Sequence, residues 1–98
     1  MTRVFVSANA QDDIRAIRIY SKRIWGVPVA KEYMAGLRRT LGLLRENPFA
    51  GAVDEGLTGD IRTFTDRSHR LFYWVVDQQV EIVRILHYAR DVPRAFGR

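Results

Sequence analysis

The sequence contains no cysteine, which excludes disulfides, thiolate metal sites and a cysteine nucleophile. It has two histidines, and no spacing of His, Asp and Glu residues suggests a metal site. A glycine-rich phosphate loop is also missing, so no motif predicts a bound nucleotide. We therefore expect neither a metal nor a cofactor.

Long apolar runs are lacking as well. No stretch approaches the roughly 20 apolar residues that a membrane-spanning helix needs, and residues 1–7 are too poor in apolar residues for a signal peptide. We therefore expect a cytoplasmic protein that does not associate with membranes. A length of 98 residues, 47% of them hydrophobic, predicts a single folded domain over residues 1–98.

Lysine is scarce, whereas arginine is abundant. Of the 16 basic residues, only Lys22 and Lys31 are lysines, and the formal net charge is +5. The planar guanidinium group of arginine binds carboxylates and phosphates, so this composition suits a surface for nucleic acid or for an acidic protein. A GC-rich genome that prefers arginine codons would produce the same excess, and composition alone does not separate the two explanations.

Hydrophobic periodicity predicts a strand followed by two helices. Arg3–Ser7 alternates as a short strand, and Ser7 or Asn9 can then cap a helix. Gly26 ends the first amphipathic helix, and Asn47-Pro48 stops the second, so the helices form an antiparallel hairpin. The predicted core-facing residues are Ala10, Ile14, Ile17, Ser21 and Ile24 in the first helix and Ala30, Tyr33, Met34, Leu37, Leu41 and Leu44 in the second.

Three strand-like segments follow a glycine-marked loop at Phe49–Gly59. They are Ile61–Thr65, Arg70–Val76 and Val80–His87, and the residues Asp77-Gln78-Gln79 can join the last two as a hairpin. We therefore predict an α+β fold, in which an N-terminal strand and a two-helix antiparallel hairpin precede a three-stranded antiparallel sheet packed on the hairpin.

Both faces of the predicted sheet are apolar. Strict alternation places Ile82, Arg84 and Leu86 on one face of the last strand and turns His87 toward the helices. A helical hairpin covers only one face, and an uncovered apolar patch usually marks a binding surface, with Trp74 as a plausible anchor. The loop and the C-terminal tail could cover this face instead, but we expect a macromolecular partner there.

Six short segments stand in an order and at a spacing typical of one protein family. They are Trp25-Gly26, Glu46-Asn47-Pro48, Ile61-Arg62-Thr63-Phe64, His69–Tyr73, Ile82–His87 and Arg90-Asp91. Through them, over nearly its whole length, the chain resembles the RelE/ParE superfamily of bacterial toxins, and within it the ParE branch.

The resemblance implies a toxin of a type II toxin–antitoxin system that inhibits DNA gyrase and blocks replication. It also implies a ParD-like antitoxin, with a DNA-binding N-terminal half and a flexible C-terminal half, in a heterotetramer or larger complex. On this basis we expect the antitoxin to contact Trp74, Ile82, Arg84 and Leu86. The residues expected to contact the target are Arg62, Arg67 and Arg90.

The RelE branch offers an alternative, a ribosome-dependent messenger RNA endonuclease, which must supply an acid, a base and positive charge. A His-Tyr pair near the C-terminus resembles the catalytic end of YoeB-like ribonucleases. Against this, no lysine follows Lys31, whereas RelE-like ribonucleases use lysines near the second strand. The candidate catalytic residues would be Arg62, Arg70, Arg84, His87 and Tyr88, with Glu55 as a possible carboxylate. A gyrase poison needs no catalytic residue. A non-toxic member that serves as co-repressor is a third possibility.

Overall fold

The computed structural model describes residues 2–57, 59–66 and 69–87, and these residues form two helices and a five-stranded sheet. The elements in chain order are β1 (Arg3–Val6), α1 (Ala8–Trp25), α2 (Val27–Glu46), β2 (Ala52–Val53), β3 (Arg62–Asp66), β4 (His69–Val76) and β5 (Gln79–His87). The strand order across the sheet is β1-β5-β4-β3-β2. The predicted α+β fold is confirmed.

The sheet is larger than the predicted three strands for two reasons. First, β1 joins it beside β5 in parallel orientation, with Val4 opposite Val80. Second, the predicted loop contains β2, which pairs with β3 through Ala52 and Thr63. A strand of two residues is too short to show alternation, and strand partners far apart in the chain leave no local pattern.

The helices begin and end where the sequence predicts. The side chain of Ser7 caps α1 by accepting a hydrogen bond from the backbone N–H of Ala10. Gly26 joins the two helices at a φ of 90°, which a residue without a Cβ adopts readily. Pro28 lies in the first turn of α2, where the backbone N–H that proline lacks would have no partner in the helix.

The core lies between the helices and one face of the sheet. Ile17 and Leu44 are completely buried from the helix side, and Leu71, Tyr73 and Ile82 from the sheet side. Most of the residues predicted to face the core do so in both helices. The exception is Ile24, which is 51% exposed in the last turn of α1.

A β-bulge in β5 changes which residues face the helices. Phe72 pairs with Arg84 but the adjacent Tyr73 pairs with Ile82, so Val83 is an extra residue in β5. Ile82 before the bulge therefore faces the helices, whereas Arg84 after it faces away. The prediction that Ile82 shares a face with Arg84 and Leu86 is wrong, because strict alternation does not account for the extra residue.

Candidate functional site

The bulge is held by the start of α1. The Asp13 carboxylate accepts hydrogen bonds from Arg84 Nε at 2.8 Å and Nη2 at 3.0 Å, and from the Ile85 backbone N–H at 2.8 Å. The Ser7 hydroxyl donates to the Val83 carbonyl at 3.0 Å. Sequence reasoning did not identify Asp13 as the partner of Arg84, because these two residues lie 71 positions apart in the chain.

The face of the sheet turned away from the helices, here called the outer sheet face, is apolar. Its large side chains include Phe5, Trp74 and Val76, which are 45%, 37% and 53% exposed. Phe72 and Leu86 are half-buried beside them. Of the residues predicted to bind an antitoxin, Trp74, Arg84 and Leu86 belong to this face, whereas Ile82 is completely buried on the other side.

Arginines flank the apolar residues of the outer sheet face, and Glu81 of β5 lies between Phe5 and Trp74. Arg70 lies with its guanidinium 5.7 Å from the centre of the Phe72 ring, and Arg3 at the start of β1 is exposed. The indole N–H of Trp74 donates to Glu81 at 2.6 Å, which orients the ring. Phe5 was not predicted to lie here, because its place depends on the pairing of β1 with β5.

Arg62 and Tyr73 hold the loop that follows α2. Arg62 Nη1 donates to the Gly51 carbonyl at 2.6 Å, and its guanidinium lies 4.8 Å from the centre of the Phe49 ring. The Tyr73 hydroxyl accepts from the Gly51 N–H at 2.8 Å and donates to the Pro48 carbonyl at 2.9 Å. Burial raises the pKa of Tyr73, although the bond from Gly51 and the Arg62 charge act in the opposite direction.

His87 ends β5 beneath the helices and is 1% exposed. Its ring centre lies 5.2 Å from that of Tyr33 and 5.9 Å from those of Tyr20 and Trp25. The prediction that His87 points into the core is therefore confirmed. The imidazole is enclosed by aromatic rings.

The described candidates for ribonuclease chemistry do not converge on one point. Arg62 shares the helix side of the sheet with Tyr73, whereas Arg70 and Arg84 lie on the outer sheet face. Glu55 is exposed in the loop between β2 and β3. The remaining predicted site residues, Arg67, Tyr88 and Arg90, lie outside the described residues.

A pocket of about 440 Å³ opens between α2 and the β3–β4 pair. His69 lies in its wall with only 3% of its surface exposed. Neither ring nitrogen of His69 has a hydrogen-bond partner among the described residues. The pocket is also lined by Val29, Glu32, Tyr33, Arg39 and Asp66.

The carboxylate of Asp66 lies close to His69. Its Oδ2 lies 4.0 Å from His69 Nε2 and accepts a hydrogen bond from the Thr40 hydroxyl at 2.9 Å. Sequence reasoning did not identify this pocket, because Asp66 and His69 meet α2 only through the packing of the helices on the sheet. The separation of three residues between Asp66 and His69 was the one local signal.

The stability of the protein is expected to fall as the pH drops below about 6.5. Burial lowers the pKa of His69 from its ordinary 6.5, with Asp66 opposing and His87 adding to the effect. The unfolded chain therefore takes up a proton near pH 6.5 that the folded chain refuses until a lower pH. The contribution of His69 to stability is therefore complete above pH 6.5 and decreases as the pH falls from 6.5 toward the lower pKa of the folded state.

Thermal unfolding between pH 5 and pH 8 tests this expectation, with His69→Gln as the comparison. The melting temperature of the variant should depend less on pH between 5 and 6.5. Equal slopes for the two proteins would show that His69 does not contribute.

Two kinds of site are absent from residues 2–57, 59–66 and 69–87, which the structure describes. No helix in that part of the chain is long and apolar enough to cross a membrane. Within the same residues, no group of three or more His, Asp or Glu side chains could hold a metal ion.

Comparison with known proteins gives one consistent answer. Residues 4–92 match a family model described as the ParE toxin of the type II toxin-antitoxin system, parDE. The chain is 35% identical over 92 residues to Toxin ParE1 of Caulobacter vibrioides, covering 94% of this chain and 95% of that protein.

Solved structures share the fold. A chain of the chromosomal ParDE toxin–antitoxin system from P. aeruginosa superposes with a TM-score of 0.77 at 22% identity, covering 89% of this chain and 96% of that one. A chain of the RelBE2 toxin–antitoxin complex from Mycobacterium tuberculosis gives a TM-score of 0.66 at 19% identity, covering 87% and 95%. At these identities the structural likeness shows the fold alone.

Proposed function

The chain belongs to the ParE toxin family of type II toxin–antitoxin systems, and from this premise we propose that it inhibits DNA gyrase and so blocks replication. The bond-breaking chemistry would be that of gyrase, held with its DNA cleaved, and this chain would supply a binding surface in the cytoplasm. The observation that carries the proposal is the match to the ParE branch over residues 4–92.

The geometry of the candidate catalytic residues also favours a poison over the alternative, a ribosome-dependent ribonuclease. A general acid must reach the substrate within hydrogen-bond distance, whereas His87 is 1% exposed beneath aromatic rings. Arg62 is occupied by the Gly51 carbonyl and lies on the opposite side of the sheet from Arg84.

The gyrase proposal predicts that the purified chain traps cleaved DNA when mixed with gyrase, supercoiled plasmid and ATP. Arg67→Ala and Arg90→Ala should reduce the yield of linear DNA, because we propose that these arginines contact the target. Arg15→Ala is a matched control, since Arg15 is exposed on α1 beside Asp12.

The same preparation is tested on ribosomes carrying messenger RNA. If the messenger RNA is cleaved and gyrase is unaffected, the proposal is overturned in favour of the ribonuclease. Inactivity in both assays, with growth unaffected on expression, would instead indicate a co-repressor without toxicity.

We further propose that a ParD-like antitoxin, with a DNA-binding N-terminal half, neutralises the toxin by laying its C-terminal segment over the outer sheet face. Phe5, Trp74 and Val76 are exposed there, and a disordered segment that folds on binding can cover such a surface. Acidic side chains of the antitoxin would pair with Arg3 and Arg84 at the margin of the outer sheet face. We expect a heterotetramer or a larger complex.

Trp74→Ala is expected to weaken antitoxin binding by about 10- to 100-fold, because exposed tryptophans often dominate interface energetics. Titration calorimetry with the co-encoded antitoxin measures the change. Ile19→Ala is the control, since Ile19 is 57% exposed but lies on α1. Unchanged affinity of the Trp74 variant would place the antitoxin elsewhere.

A further inference from the structure

The pocket beside His69 combines features that call for a ligand. The His69 imidazole is buried, and neither of its nitrogens meets a hydrogen-bond partner among the described residues. Buried polar groups in folded proteins almost always have partners, because losing hydration without replacement is unfavourable. Both nitrogens lie just beneath the pocket wall without accessible surface, so the side chains around His69 must shift before a group entering the pocket supplies that partner.

The charge around the pocket is opposite to that of the whole chain. Glu32 and Asp66 contribute two carboxylates and Arg39 one guanidinium, so these three side chains sum to −1 in a chain whose net charge is +5. Asp66 is positioned by the Thr40 hydroxyl. Such a site attracts a cation and repels phosphate or carboxylate ligands.

We propose that this pocket binds the guanidinium group of an arginine side chain or of an arginine-like ligand. A guanidinium presents five N–H donors in a plane, which suits the carboxylates of Asp66 and Glu32 together with a neutral imidazole as acceptor. It is less strongly hydrated than an ammonium group and stacks on aromatic rings such as that of Tyr33. Val29 offers an apolar wall for the aliphatic stem.

The positive charge of Arg39 allows a test of whether the affinity for a guanidinium rises or falls when a charge is removed. Its Nη2 atom lies 3.5 Å from the position that a Cβ on Gly36 would occupy, so this guanidinium lies over the helix surface that lines the pocket. Like charges repel, so Arg39→Ala should raise the affinity for an incoming guanidinium by about threefold, whereas loss of a carboxylate should lower it.

The experiment titrates the full-length chain with N-acetyl-L-arginine amide and follows the imidazole resonances of His69 by NMR. We expect a saturable shift, with affinity lowered about tenfold by Asp66→Asn and about threefold by Glu32→Gln. Asp12→Asn removes a carboxylate from the exposed face of α1 and should leave affinity unchanged. Glu32 is exposed, so its variant reports on binding even if Asp66→Asn unfolds.

Two further probes identify the chemistry and the source. N-acetyl-L-lysine amide should bind much more weakly, and equal binding would overturn the choice of guanidinium. Stronger binding of the arginine amide than of free L-arginine supports a side chain of a partner polypeptide, and the reverse supports a free amino acid whose carboxylate meets Arg39. Absence of a saturable shift, or an equal shift in Asp66→Asn and Glu32→Gln, would overturn the proposal.

Discussion

Replacing Asp13 by alanine is expected to lower the free energy of unfolding by about 2–4 kcal/mol. The Asp13 carboxylate side chain is 13% exposed and accepts three hydrogen bonds, one of them from the Ile85 backbone N–H. Without it, that N–H beside the bulge loses its partner, which costs more than the loss of an ordinary hydrogen bond. Urea denaturation followed by tryptophan fluorescence measures the change.

Arg84→Ala separates the two parts of this arrangement. The Arg84 side chain is 59% exposed, and exposed ion pairs contribute at most about 1 kcal/mol. We therefore expect the Arg84 variant to lose much less stability than the Asp13 variant. Equal losses of stability in the two variants would show that the ion pair with Arg84, and not the hydrogen bond to the Ile85 backbone, stabilises the contact between α1 and β5.

The Asp13 contact also bears on function. Together with Ser7, it fixes the extra residue that turns Arg84 and Leu86 toward the outer sheet face. An Asp13 variant that stays folded should therefore bind the proposed antitoxin more weakly, because the margin of its surface would be less ordered.

Gly51→Ala is expected to destabilise the protein by about 2–4 kcal/mol through steric overlap and loss of hydrogen bonds. A Cβ at this position would lie 2.6 Å from the Thr63 carbonyl oxygen and 2.7 Å from the Tyr73 hydroxyl oxygen. The first is backbone in the sheet, so the loop must move. Tyr73 would then lose its bonds to Gly51 and Pro48.

Gly42→Ala is a control that should raise the stability of the protein, whereas Gly51→Ala should lower it. Gly42 lies within α2, and nothing lies within 4 Å of the position of an added Cβ. Alanine should stabilise the helix by about 0.5–1 kcal/mol, because it restricts the unfolded chain and favours helical backbone. Thermal unfolding should therefore move in opposite directions for the two variants. A neutral Gly51→Ala would mean that the loop relaxes without loss.

Local patterns were sufficient for most of the secondary structure. The helix ends are set by the backbone and capping chemistry of single residues: α1 begins after Ser7 and ends at Gly26, and α2 ends at Asn47. These signals need no distant partner. Burial of His87 also followed from its position at the end of a strand that faces the helices. The likeness to the ParE branch rested on short segments whose order is visible along the chain, and the comparisons confirmed it.

The tertiary structure alone decided how distant segments meet. The bulge at Val83 placed Ile82 in the core and Arg84 outside, although alternation had put them on one face. Asp13 met Arg84 across 71 positions, and β1 paired with β5 to bring Phe5 onto the same sheet face as Trp74. Periodicity depends on neighbours along the chain, whereas strand register, ion pairs and the pocket beside His69 depend on packing between elements, which leaves no regular spacing in the sequence.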